Sequence, residues 1–170
     1  MWWAGPVTEQ AIIAPAEARD AGEILTVQRA AYLAEAQRYA DPFLPPLTET
    51  LDEVRAVLAG PTIVLVARLG TRLVGSVRAR IDGGTAHVAR LSVAPDQQGR
   101  GIGGRLLTAV EAACPGQVGR FTLFTGPDSD ENLRLYRRHG YVLVGPHPME
   151  QGPDLVDLVK TVVRPARSGD

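Results

Sequence analysis

The sequence predicts an α/β (α+β) domain in which helices flank a mixed, mostly antiparallel sheet. Three observations carry that expectation. Apolar residues recur at the helical period up to Gly60-Pro61. The pattern then changes to strand-like segments joined by short glycine turns, and helical and strand-like segments alternate afterwards. A doubly wound nucleotide-binding fold would place strand-helix alternation first. A chain of 170 residues suits one hydrophobic core, and 45% hydrophobic with 22% charged residues is an ordinary globular composition.

Taken in order, residues 17–40 are expected to form the first helix, with Ile24, Val27, Ala31, Leu33 and Ala34 near the helical period and Asp20 as a cap. The Pro-rich run from Asp41 to Leu47 stops it, because proline lacks an N–H and restricts the residue before it. A second helix is expected over 48–58, with Leu51, Val54 and Leu58 as its stripe. Strands follow at 62–69, 72–81 and 85–93; Gly70-Thr71 and Asp82-Gly83-Gly84 supply the turns of an antiparallel meander. Then come a helix over 102–113, a strand at 121–125 and a helix over 129–139. A strand pair at 141–145 and 155–163 closes the order around a Gly/Pro-rich loop. With no linker or repeat inside it, 17–164 reads as one domain, with 1–16 as an N-terminal extension and 165–170 as a C-terminal tail.

The formal net charge of -1 provides no global positive field for nucleic acid or an anionic membrane, so neither is expected as a partner. The start of the chain does not read as a secretory leader, and no apolar run is long enough to span a bilayer, so a cytoplasmic location is the default. Cys114 is the one cysteine, at the end of an apolar-faced helix, and is expected to be a packed thiol. His87, His139 and His147 show no metal-ligand spacing, and no metal is expected.

The chemistry concentrates between His87 and Leu107, where a strand, a proline-marked turn, a glycine cluster and an amphipathic helix follow without a gap. Glycines at 99, 101 and 103 allow the backbone to approach an anion, and the free N–H groups of the first helical turn point to the same place. A dinucleotide fingerprint should follow its strand directly, but Ala94 to Gln98 intervene. A phosphate-binding Walker loop is excluded because Gly104 precedes Arg105 and no G-K-[ST] exists. A ligand-free glycine-rich helix start remains the competing structural account.

Gln98-Gly99-Arg100-Gly101-Ile102-Gly103 resembles the Q/R-x-x-G-x-G/A signature of the GCN5-related N-acetyltransferase (GNAT) superfamily, in that family's strand-Pro-signature-helix context. Downstream, Asn132, Tyr136, Gly140 and Tyr141 resemble the family's second pattern, except that Arg134 or Leu135 stands where it has a small residue. The resemblance covers roughly residues 17 to 147 and implies a GNAT-like fold, with acetyl-coenzyme A as co-substrate. It also implies a binding set of Leu91, Ser92, Val93, Gln98, Gly99, Arg100, Gly101, Ile102, Gly103, Gly104, Arg105, Asn132 and Tyr136. In that set the glycine backbone holds the pyrophosphate, Arg100 and Arg105 add charge near the phosphates, and the edge at Leu91–Val93 pairs with pantetheine. The third meander strand is expected to splay from its neighbour to open the cleft.

The expected reaction is direct attack of a primary amine on the thioester in a ternary complex, so the protein reads as an acetyl-CoA-dependent N-acyltransferase. Val93 N–H is the expected oxyanion donor. Tyr136, one helical turn from Asn132, is the expected general acid. Glu35 is a candidate base against a competing reading as a solvated surface glutamate; His87 and Asp96 are further candidates acting through water. Tyr32, Glu35, Tyr39 and Phe43 suit a wall for a cationic amine, or else anchor the helices to the sheet, and the 145–153 loop is expected to shape the opposite wall. The acceptor is read as a small molecule, with a protein or peptide amine and a non-catalytic acetyl-CoA-binding regulator as alternatives. A homodimer paired through strand 155–163 is also open to this sequence.

Overall fold

The computed structural model describes residues 9–150 and 154–163, so the tail read over 165–170, residues 1–8 of the stretch read as an N-terminal extension and the loop residues 151–153 lie outside the described residues. The first element falls inside the stretch read as an N-terminal extension. Strand β1 (Ile12–Pro15) pairs antiparallel with β2 (Ile63–Leu69) at the edge of the sheet, a position that tolerates the proline. A 3-10 turn at Ala18–Asp20 leads into helix α1 (Ala21–Arg38). Asp20 is buried, accepts from Arg68 at 2.6 Å, and accepts from Glu17 N–H at 2.8 Å in a capping box that opens the 3-10 turn, without capping α1 itself. The core face of α1 carries Ile24, Val27 and Gln28, whereas Leu33 of the expected stripe is 53% exposed.

The Pro-rich stretch contains a short helix the sequence did not announce, α2 (Pro45–Thr48), with prolines in its first turn where their missing N–H groups are harmless. Helix α3 (Leu51–Ala59) starts in a capping box between Thr50 and Glu53. The meander forms as expected from β2, β3 (Arg72–Asp82) and β4 (Thr85–Val93), all antiparallel. Helix α4 (Ile102–Ala113), strand β5 (Arg120–Thr125), helix α5 (Asp130–Arg138) and strands β6 (Val142–His147) and β7 (Leu155–Thr161) complete the chain.

The seven strands run in the order β1-β2-β3-β4-β5-β7-β6, with β4 and β5 parallel and every other pair antiparallel. Strand β7 is therefore interior, and β6, not the 155–163 segment, is the edge strand at that end of the sheet. Helix α4 packs on β2 and β3 from one side, while α1 packs on β3 and β4. Gln28 of α1 reaches Arg78 of β3, placing α1 on the face of that strand opposite α4. Cys114 is buried at the end of α4 with its thiol 3.2 Å from Val110 O, as a packed thiol should be. Among the described residues no helix is long and apolar enough to cross a membrane.

Candidate active site

The site exists because two neighbouring strands part. Strand β4 pairs with β5 only from Thr85 to His87, opposite Arg120 to Thr122. Just beyond, the β3–β4 register slips between Ser76 and Arg78, so that Arg90 and Leu91 share the space opposite Val77, and Arg90 adopts φ 56°. A bulge of this kind bends and twists its strand. Past it, β4 keeps its ladder to β3 but has lost β5. The register shows what the free edge offers: Ala94 N–H donates to Val74 O at 2.8 Å, so alternation turns the preceding N–H, that of Val93, away from β3 and into the gap.

The gap continues into a cavity of about 1130 Å³ that reaches the start of α4. There Gly99 and Gly101 hold φ 75° and 82°, left-handed values that other residues adopt only with strain, and a Cβ at either would project into open space. Gln98 braces this turn by donating from Nε2 to Val93 O at 3.1 Å. The first backbone bond of the helix runs from Arg105 N–H to Gly101 O at 3.1 Å, leaving the amides of Ile102, Gly103 and Gly104 without an intrahelical acceptor. The result is a concave nest of donors at a helix N-terminus, lined by residues that leave room for an anion at their backbone.

The opposite wall gathers the expected catalytic side chains. Tyr136 and Asn132 of α5 line the cavity together with Tyr32 and Glu35 of α1. Asn132 Nδ2 donates to Thr125 Oγ1 at 3.4 Å. Burial pushes the Tyr136 hydroxyl well above the usual phenol range, and the nearby Tyr32 and Glu35 add to the effect. Burial likewise raises Tyr32, whose hydroxyl also feels the charges of Arg90 and Glu35. Glu35 is not the solvated glutamate of the competing account: it is 19% exposed, accepts from Ser129 Oγ at 2.6 Å, and accepts from Arg38 Nη1 at 3.2 Å. Ser129 precedes α5 at its cap position but spends its hydroxyl on Glu35 and on Tyr39, 3.1 Å away. The Tyr39 hydroxyl also accepts from Asp128 N–H at 2.9 Å. These bonds tie the end of α1 to the β5–α5 loop, where a Cβ on Gly126 would overlap the Tyr39 ring.

Other expected residues lie elsewhere. Leu91 and Val93 line the cavity, but Ser92 is buried with its hydroxyl on Arg90 O. Arg100 and Arg105 flank the glycine turn outside the cavity wall. Asp96 is held by Arg72 in a two-point ion pair at 2.7 Å, which keeps its carboxyl far below the usual range and unsuited to accept a proton. His87 bonds Thr122, His139 bonds Leu135 O, and His147 pairs with Asp157 at 2.7 Å while stacking on Phe124. Phe43 sits at the cavity mouth, 77% exposed.

Residues 28–141 match the family described as Acetyltransferase (GNAT) family. The chain belongs to the GNAT acetyltransferase family. Its similar proteins include a curated relative from Azospirillum brasilense described as an IAA acetyltransferase, 34% identical over 128 residues, covering 73% of this chain and 82% of the relative. The fold is shared with the ribosomal-protein-S18-alanine N-acetyltransferase of Escherichia coli at TM-score 0.73 and 13% identity, covering 94% of this chain and 99% of that one. It is shared also with the PaiA N-acetyltransferase of Thermoplasma acidophilum, solved in complex with coenzyme A, at TM-score 0.72 and 16% identity, covering 89% and 98%.

In this GNAT protein the structure adds a polar cluster that sequence reasoning missed. Arg78 of β3, flanked by buried residues, makes a two-point pair with Glu49 at 2.7 and 2.9 Å. Gln28 Nε2 donates to the same carboxylate at 2.8 Å, and Arg90 Nε approaches it at 3.7 Å. Burial alone would raise Glu49, but the hydrogen bonds from Arg78 and Gln28 and the two arginine charges outweigh it and hold the carboxyl below its usual range. An arginine in the middle of an apolar strand was the one local sign of this cluster; its partners lie 29 and 50 positions away in sequence.

Proposed function

We propose that this protein transfers the acetyl group of acetyl-coenzyme A to the amine of a small molecule by direct attack in a ternary complex. The observation that carries the proposal is the convergence in one cavity of the donor nest at Gly99–Gly104, the unpaired edge of β4 and the Tyr136–Tyr32–Glu35 wall. Glycines without a Cβ leave space for a pyrophosphate against the nest, the β4 edge offers amide bonding to a pantetheine arm, and the thioester then reaches the level of Val93 and Tyr136. This donor fits the residues present, and Arg100 and Arg105 contribute positive field beside it.

The amine lone pair attacks the thioester carbonyl carbon. Val93 N–H stabilises the oxygen as it gains charge, and placing both reactants in line supplies much of the acceleration. The C–N bond forms, the amine proton leaves toward Glu35, and the C–S bond breaks. The raised Tyr136 refines the acid role expected from sequence. Against a thiol of roughly 8.5, a phenol above about 10 makes complete proton transfer uphill by more than about 2 kcal/mol, so Tyr136 acts as a hydrogen-bond donor to the departing sulfur. Its raised value keeps that proton in place at neutral pH. A small acceptor is favoured because the Tyr39–Ser129–Glu35 bridge ties α1 to the 126–129 loop and closes that side of the cleft to an extended peptide. Tyr136→Phe should lower kcat by about 10²-fold while leaving the acetyl-coenzyme A Kd within about threefold. Unchanged turnover with chemistry limiting would remove Tyr136 from this role.

A further inference from the structure

A second cavity, of about 710 Å³, adjoins the first across the split between β4 and β5; Val88, Ala89, Arg90 and Phe124 line both. Its charge is one-sided. Arg78, Arg80, Arg90 and Arg120 face it, and Asp157 is the one carboxylate among its described lining residues, already paired with His147. Glu49 answers Arg78 with two hydrogen bonds and leaves Arg90 an ion-pair distance of 3.7 Å without a hydrogen bond. Arg90 Nε is shielded from solvent with no hydrogen-bond partner among the described residues. Arg80 and Arg120 have no ion-pair partner among the described residues. A buried guanidinium donor left unused is costly unless a ligand satisfies it. Arg90 is also held at φ 56° at the bulge, an unusual conformation for a residue other than glycine, which fixes its Cα at the junction of the two cavities.

The junction is polar in a directed way. The Tyr32 hydroxyl feels the charges of both Arg90 and Glu35, and Tyr136 feels Tyr32 and Glu35. Glu35 thus lines the first cavity, where the attacking amine must sit, Arg80 and Arg120 line the second, and Arg90 lines both. We propose that the acceptor is an amine that also bears an anionic group, a carboxylate or a phosphate, which Arg90 and Arg80 bind while the amine lies at Glu35. This rests on the acetyl-transfer proposal and sharpens its acceptor to a class. Guanidinium groups suit both anions because they present paired N–H donors in one plane.

The test uses matched pairs that differ in the anion: L-phenylalanine and L-leucine against their α-carboxamides, and phosphoethanolamine against ethanolamine. Binding of each to the full chain saturated with coenzyme A is measured by calorimetry, and thiol release from acetyl-coenzyme A is measured in parallel. In at least one pair the anionic member should be favoured by about tenfold or more in Kd and in kcat/KM, as expected for a charge-assisted contact. The amino acid and phosphate arms identify which anion is recognised. In Arg90→Gln that preference should fall to within about threefold. Because position 90 carries left-handed backbone, Arg80→Gln, at an exposed strand position, provides a second variant and should reduce the preference in the same direction. Equal handling of anionic and neutral members, no binding by any anionic member, or a preference that survives in both variants overturns the inference. Thiol release with neutral amines alone overturns it while leaving acetyl transfer standing. Arginine-dependent binding without thiol release sustains anion recognition and defeats the transfer proposal.

Discussion

Replacing Gly101 by alanine separates the backbone cost of the glycine turn from its use as an anion cradle. Gly101 sits at φ 82° as the residue before α4, and an added Cβ meets no protein atom within 4 Å. The free protein therefore bears backbone strain alone, about 1–2 kcal/mol for an L-residue in the left-handed region. At about 2–4 °C per kcal/mol for a domain of this size, Tm should fall by about 2–8 °C. In the proposed binding mode the methyl group occupies the space where the pyrophosphate would meet the amides of the first helical turn. Losing one hydrogen bond to a charged group, about 1.5–3 kcal/mol, weakens binding by about 10- to 100-fold. Thermal denaturation without ligand and calorimetry with acetyl-coenzyme A read the two effects separately. Gly83→Ala is the control: Gly83 has φ 57°, lies in the β3–β4 turn, and also has open space at its Cβ, so Tm should fall comparably while Kd stays put. Equal Kd values for wild type and Gly101→Ala, alongside the expected drop in Tm, would refute the assignment of the pyrophosphate to this turn.

Ser129→Ala removes the donor to the Glu35 carboxylate and should destabilise the chain by about 1.5–3 kcal/mol in urea denaturation while lowering kcat; full stability would mean that water replaces the hydroxyl without loss. Because burial raises Tyr136, its proton should persist beyond about pH 10, so kcat should show no alkaline limb from this group between pH 8 and about 10. A limb in that range that disappears in Tyr136→Phe would contradict this. Glu49, depressed in the folded state, contributes stability that is present above the unfolded carboxyl value of about 4.3 and lost as pH falls through the lower folded value. Glu49→Gln should therefore be less stable than wild type by about 3 kcal/mol at pH 7, with the gap narrowing as pH falls below about 4; a constant gap would show that the carboxylate charge is not what stabilises the cluster.

What the sequence made legible was local. The meander, the glycine turn and α4 are each specified by neighbouring residues: alternation, Gly-containing turns, and a helix whose Ile102, Leu106, Leu107 and Val110 share one buried face. The cavity-facing placements of Tyr136 and Asn132 followed from one helical spacing. Features made by distant partners were hidden. Strand β1 is four residues long and carries no alternation to detect, and it exists because β2 has an open edge. The insertion of β7 between β5 and β6 is a matter of topology that no local pattern encodes. Leu33 fits a helical stripe on paper, yet the sheet meets the Ile24–Gln28 side of α1 and leaves Leu33 outside. The choice between base and solvated surface stayed open for Glu35 because its partner Ser129 is 94 positions away. Ser129 stands at the cap position of α5 but turns its hydroxyl toward α1.

Acetyl transfer to an amine is tested by product analysis. Full-length protein is incubated with acetyl-coenzyme A labelled in the acetyl group and a pool of amines, amino acids and peptides; free thiol is followed with time and products are weighed by mass spectrometry. The predicted result is thiol release that depends on an amine, with the label recovered in equal amount on that amine's nitrogen. Tight binding of acetyl-coenzyme A with no thiol release across the pool, or label recovered as free acetate alone, would contradict it.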